Sequence, residues 1–333
     1  MAKVHRSRDM SRDTSRGAAA YPQPAHAPAA APARRRSAWT VVLACAIAVF
    51  VLAACAVGVI AYSYWQGQQT YDSLASSAFA PDDNLADANG ASLGALAVDW
   101  DALLAENPDT VGWIYIPGTA VNYPIVKAPE DNPDKYLTYD FQGNKGGRWL
   151  PTYGVPYLLS TNAADFSDKN NVVQGHHLQN GEMFAAIADL ADSGAFNAHR
   201  NVYLLTPKGN YRLNSVSLVH CAGSERIAQT QFSTDAEFTG YVQDKLDRSI
   251  VSADPAAPAA GDISQLFMFS TCDSDGDARY VLYCAPVEFA RPGASTSTLL
   301  GAGAANQQTG GGGAGEIDAA ASDIDDAAKE TVS

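Results

Sequence analysis

Between Trp39 and Tyr62 the chain carries 24 residues without a single charge, Trp-Thr-Val-Val-Leu-Ala-Cys-Ala-Ile-Ala-Val-Phe and on through Val-Gly-Val-Ile-Ala-Tyr. A helix of that length crosses a bilayer core of about 30 Å, so the run predicts a transmembrane helix over 39–62. A cleaved signal peptide is the rival reading. Against it, about 38 residues precede the run, the run exceeds a usual signal core, and Tyr62, Tyr64 and Trp65 stand where interfacial aromatic anchors belong.

Charge sets an expected orientation. Residues 1–38 form a basic tail, expected to be disordered, with eight Lys/Arg, among them Arg34-Arg35-Arg36, against only Asp9 and Asp13. The positive-inside rule places this tail in the cytoplasm and the rest outside. Of the 22 Lys/Arg and 36 Asp/Glu in the chain, 14 and 34 lie beyond the apolar run. That acidic excess argues against nucleic acid as a partner.

After the span, residues 63–91 are small and polar and suit an extracellular stalk. Residues 92–292 carry nearly all the patterned apolar sequence and read as one folded domain. Leu93, Leu96, Trp100, Leu103 and Leu104 predict an amphipathic helix over 92–107. From Val111 the period changes, and short strands are expected at 111–116, 121–126, 155–159, 171–174, 201–206, 211–220, 266–271 and 279–287. Helices are expected over 182–192 and 235–251, the second opened by a Thr234/Glu237 capping box. Many short strands with few helices imply a mostly β domain, closed or nearly closed into a barrel. Residues 293–333 are Gly, Ala, Ser and acid, and disorder is expected there.

Five cysteines are too few for a disulfide scaffold. Cys45 and Cys55 lie in the apolar run; Cys221 and Cys284 sit in strand-like runs, where a buried thiol is the commoner outcome than a bridge. Cys272 differs. It ends Phe-Ser-Thr-Cys after the apolar Leu266-Phe-Met-Phe, and Arg279 opens the next strand seven residues on. Gly175-His176-His177 ends another strand about a hundred residues earlier. A thiolate attacks an amide carbonyl to give a thioester that an amine can open, an imidazolium protonates the leaving amine, and a guanidinium stabilises the oxyanion. Cys272, His176 and Arg279 are therefore the candidate catalytic residues. Two of them have structural rivals: a core cysteine for Cys272 and a surface arginine for Arg279. His177 points to the other face of a strand, which argues against a metal held by both histidines, and is expected to be exposed or backbone-bonded. His220 reads as a core histidine.

The motifs occur in an order that resembles the class B sortases. They are Val111-Gly-Trp-Ile-Tyr-Ile-Pro-Gly-Thr, Tyr123-Pro-Ile-Val, Tyr136-Leu with Asp140-Phe-Gln-Gly, Gly175-His-His-Leu-Gln-Asn-Gly-Glu-Met-Phe, and Phe269-Ser-Thr-Cys followed by Arg279. The resemblance spans about residues 92–290. It implies an eight-stranded sortase-type β-barrel with an N-terminal helix and a helix between the sixth and seventh strands. It gives Cys272, His176 and Arg279 the roles of nucleophile, acid/base and oxyanion or substrate clamp. It departs from the family in Phe269, often Leu, and in a longer segment around 146–156.

The implied activity is cleavage of a sorting pentapeptide after Thr and transfer of the acyl group to a cell-wall precursor or pilin amine, by a membrane enzyme facing outward. No cofactor and no metal are implied. Ser270, Thr271 and residues 223–232 are where substrate contacts are expected. A cysteine peptidase with water as acceptor and a non-catalytic wall-binding module are the alternatives. In the tail, Asn306-Gln-Gln-Thr-Gly310 resembles an Asn-Pro-x-Thr signal, but Gln307 replaces Pro; it reads as coincidence, and no self-cleavage after Thr309 is expected.

Overall fold

The computed structural model describes residues 38–79, 93–146, 153–272, 277–291 and 297–299. Two units separate by internal contacts, one ending at Ala54 and one from Cys55 onward. The first described element, α1 (Ala38–Ala78), is a helix long and apolar enough to cross a membrane. It continues well past Tyr62. Residues 63–78, read from sequence as stalk, are helical, and Tyr71, Leu74, Ala78 and the following Phe79 are buried in the domain core. Their spacing is helical, but four apolar positions among Ser, Gln and Thr are too sparse to announce a packed face. The remainder of the expected stalk, 80–91, lies outside the described residues.

Nine strands follow: β1 (Thr110–Tyr115), β2 (Asn122–Lys127), β3 (Tyr157–Leu158), β4 (Asn170–Gly175), β5 (Asn201–Thr206), β6 (Gly209–Ala222), β7 (Leu266–Cys272), β8 (Ala278–Ala290) and β9 (Ser297–Thr298). Their order is β6-β5-β1-β2-β3-β4-β7-β8-β9, and β6 also pairs with β8 along most of its length. That last pairing closes an eight-stranded barrel, as the resemblance implies. β9 is an addition on the edge of β8, within a tail expected to be disordered. The hairpin β1–β2 turns through Gly118, whose φ of +75° suits glycine.

The unbroken apolar run of β7 has a simple cause. Phe267 and Phe269 enter the larger core with Val173, Leu218 and Leu282, while Leu266 and Met268 enter a second core on the opposite face with Val172, Val219 and Val281. Alternate side chains point to opposite faces, so a strand covered on both sides reads apolar throughout. The cover of the outer face is α5 (Asp235–Asp247), which inserts Phe238 and Val242. This helix lies between the sixth and seventh strands, as expected. Thr234 accepts from the Glu237 N–H at 3.1 Å; the return bond of Glu237 goes to the Ser233 N–H at 2.8 Å instead of to Thr234. The helix stops short of 251, because the Ile250 N–H is taken by the Leu218 carbonyl on β6.

Two expected helices are broken. Over 92–107 there is a 3₁₀ turn, Leu93–Ala95, and then α2 (Trp100–Glu106). The Asn210 amide takes the carbonyls of both Leu93 and Leu96, at 2.9 and 2.8 Å, and Asp99 caps a new start by accepting from the Ala102 N–H. Over 182–192 the helix is only α3 (Ala185–Asp189). Asp192 then caps α4 (Ser193–Ala198).

Candidate active site

The parallel ladder between β4 and β7 runs in register from Asn170 with Leu266 to Gly175 with Thr271. One step beyond those last partners stand His176 and Cys272. Across the antiparallel ladder on the other side of β7, Cys272 pairs with Arg279, and Arg279 pairs with Cys221 on β6. Adjacent strands lie about 4.8 Å apart. Cys272 and Arg279, seven positions apart in sequence, are thus cross-strand partners at one end of the barrel, and His176 follows the last paired residue of the neighbouring strand. By alternation from Val281, Arg279 belongs to the outer face, the face that α5 covers further along.

Local structure fixes His176. Gly175 lies against the Phe184 ring, where a Cβ would sit 2.6 Å from Cδ2, and the His176 carbonyl accepts from the Phe184 N–H at 2.9 Å. The imidazole Nε2 lies 2.9 Å from the Leu137 carbonyl oxygen. A carbonyl only accepts, so Nε2 carries the proton and Nδ1 is the free lone pair of the neutral ring. Gly154, at a φ of +63°, presses on the same ring: a Cβ there would fall 2.8 Å from Nε2. Burial holds the His176 pKa below its ordinary value, and the Leu137 hydrogen bond pulls weakly the other way.

The turn bearing Leu137 is itself anchored. Asp109 accepts from the Lys135 ammonium at 2.8 Å and from the Tyr136 hydroxyl at 2.5 Å. Neither Leu137 nor Gly154 was legible as a site residue, since one acts through its backbone carbonyl and the other through lacking a side chain. The motif Tyr136-Leu was the only sequence signal at that turn.

The other expected residues fall as follows. Ser270 and Thr271 are both buried, Ser270 on the outer face with Met268 and Thr271 on the barrel-interior face with Phe269; among the described residues the Thr271 hydroxyl has no hydrogen-bond partner. Arg279 is half-buried. Cys221 and Cys284 are free thiols in opposite cores, which rules out a bridge between them. Burial raises both, Cys284 to about 12. His177 is neither exposed nor satisfied: it is half-buried, bridged to Met183 through the backbone, with Nδ1 unpartnered. His220 is exposed, not core, and stacks on Tyr280 at 4.4 Å, because β6 reaches the barrel rim there.

Residues 223–232 are pinned beside the start of β8. The Gly223 N–H donates to the Asp277 carbonyl, Arg248 grips Glu225 through two bonds of 2.6 and 2.9 Å, and the Tyr241 hydroxyl donates to the Ile227 carbonyl. A cavity of about 410 Å³ between Thr110, Asp165 and Lys208 lies at the opposite end of β6 and has no part in this site. Among the described residues no three His, Cys, Asp or Glu side chains are grouped to hold a metal.

Comparison with known proteins finds sortase B relatives. The chain is 26% identical over 171 residues to sortase B of Listeria monocytogenes, a match covering 51% of this chain and 65% of that relative. Sortase B of Clostridium perfringens superposes with a TM-score of 0.50 at 26% identity, over 56% of this chain and 98% of that structure. The chain is a homologue of the class B sortases. The fold also matches the Staphylococcus aureus sortase B–substrate complex, with a TM-score of 0.55 at 19% identity, covering 68% of this chain and 98% of that structure. No protein-family profile matches the chain. The match spans less than two thirds of the Listeria relative's length.

Proposed function

We propose that this protein is a membrane-anchored cysteine transpeptidase. The thiolate of Cys272 attacks the carbonyl carbon of the Thr in a sorting pentapeptide, and the C–N bond that follows the Thr breaks as His176 gives a proton to the leaving amine. An incoming amine of a cell-wall precursor or a pilin lysine then loses a proton to His176 and opens the thioester, which restores the thiolate. Arg279 keeps its charge at all relevant pH and stabilises the oxyanion or clamps the peptide backbone. Ser270, Thr271 and residues 223–232 contact the peptide. The basic tail lies in the cytoplasm and the barrel outside the cell.

The observation that supports this reading is the pair of ladders on β7, one making Cys272 the register partner of Arg279 and the other ending one step before His176. Relatives named sortase B, one of them crystallised with substrate, support a peptide signal as the substrate class. The test is incubation of the full chain in detergent micelles with a library of sorting peptides, followed by mass spectrometry. A Cys272 acyl adduct that an added oligoglycine or diaminopimelate amine converts to amide product is expected. Hydrolysis indifferent to added amine would make the protein a peptidase, and no adduct with any peptide would leave a wall-binding module.

A further inference from the structure

The last turns of α1 dock on the same two loops that hold the His176 imidazole. Tyr71 is 3% exposed, and its hydroxyl donates to the Gly154 carbonyl while accepting from the Phe141 N–H at 3.2 Å. Its ring stacks on Tyr153 at 5.8 Å and meets Tyr123 edge-on at 5.5 Å. One turn earlier Gly67 faces the Tyr153 ring so closely that any Cβ would collide with it. The helix therefore needs glycine there to approach.

Both contacts lead to the histidine. Gly154 presses on the imidazole, and Phe141 ends the segment that begins with the Leu137 turn, whose carbonyl accepts from Nε2. One buried phenol thus ties together the two backbone segments that touch His176. Such a hydroxyl, satisfied as donor and as acceptor between main-chain groups, is a rigid spacer with no slack.

We propose that Tyr71 is a positioning residue for His176, so that the end of the apolar helix is a working part of the active site and not a tether. The proposal rests on the transpeptidase reading for its kinetic consequence, but its structural consequence is independent of it. Without the phenol oxygen, the Gly154 carbonyl and the Phe141 N–H turn to water, the loops part, and water reaches the imidazole. The titratable and charged groups on the elements around it are His177, Tyr136 on the Leu137 turn, Tyr153 beside Gly154, Glu182 before Phe184, Cys272 on β7 and Arg279 on β8. Burial and the Leu137 carbonyl are the influences that act on the ring.

The test compares the full chain in micelles with its Tyr71→Phe variant. The His176 ring is titrated by NMR, assigned by its loss in His176→Gln, and peptide turnover is measured in parallel. The expected result is a His176 pKa that moves up toward the ordinary value, with kcat down about tenfold and KM changed far less. If Tyr71→Phe does not fold, Gly67→Ala forces the same loops apart and is read the same way. A lower melting temperature with an unmoved His176 titration would make Tyr71 merely structural and overturn the proposal. An inactive wild-type chain would count against the transpeptidase reading alone, since the titration decides the positioning role without turnover.

Discussion

Cys272 and Arg279 are register partners across the antiparallel β7–β8 ladder, the last residue of one strand against the second of the next. The seven-residue interval between them in sequence is thereby a cross-strand neighbour pair. Arg279 sets a fixed positive charge beside the strand end that carries the thiol. Replacing it by Ala should lower kcat/KM about a hundredfold or more, and Lys should recover only part, because it keeps the charge and loses the planar fork. Steady-state kinetics on both variants with one peptide checks this; equal rates for Lys and Ala would show that charge is not what Arg279 contributes.

Thiol reactivity should be confined to one position in the barrel. Cys221 and Cys284 are buried with raised pKa values. Alkylation of the folded chain, read by peptide mass mapping, should modify Cys272 and spare those two until denaturant is added. Cys272→Ala should abolish the acyl adduct, with at least about a thousandfold loss of turnover.

His176 should make stability depend on pH in a defined direction. Its folded-state pKa is depressed below 6.5, so the unfolded chain takes up the proton more readily. The contribution is fully present above pH 6.5 and is lost as pH falls toward the folded value. Denaturant melts of wild type and His176→Gln should therefore converge in this respect near neutrality and diverge in slope below pH 6.5. The same titration should place the acid limb of the kcat/KM profile under pH 6.5.

The outer core under α5 should be worth several kcal/mol. Phe238 is 2% exposed between that helix and the sheet, and meets the Phe232 ring edge-on at 5.1 Å. Phe238→Ala should cost about 3–5 kcal/mol in chemical denaturation. Because it also frees the 223–232 segment that Phe232 ends, it should raise KM for the peptide; a stability loss with KM unchanged would separate that segment from substrate binding.

Most strands were legible because their apolar residues fall in short bounded runs, and α5 because its cap and stripe agree. The broken helices were not. Asn210 lies more than a hundred residues from the Leu93 and Leu96 carbonyls it captures, and no local pattern announces such a bond. His220 failed for a related reason, since an apolar neighbourhood in sequence does not say that a strand has reached the rim of its barrel.

By itself the sequence determined that the chain carries a membrane-length apolar helix and that the domain after it is mostly β, and it singled out Cys272, His176 and Arg279 as candidate catalytic residues. Those are properties of composition, period and motif order, all local along the chain. Tertiary structure decided the parallel register between β4 and β7 and the antiparallel one between β7 and β8, which no spacing encodes. It also decided what surrounds His176, a carbonyl at Leu137 and a bare backbone at Gly154, and it set the Tyr71 phenol against the Gly154 carbonyl from a helix end that sequence alone read as a stalk. Main-chain groups and missing side chains leave no signature in a sequence, and they become functional only when distant segments fold against one another.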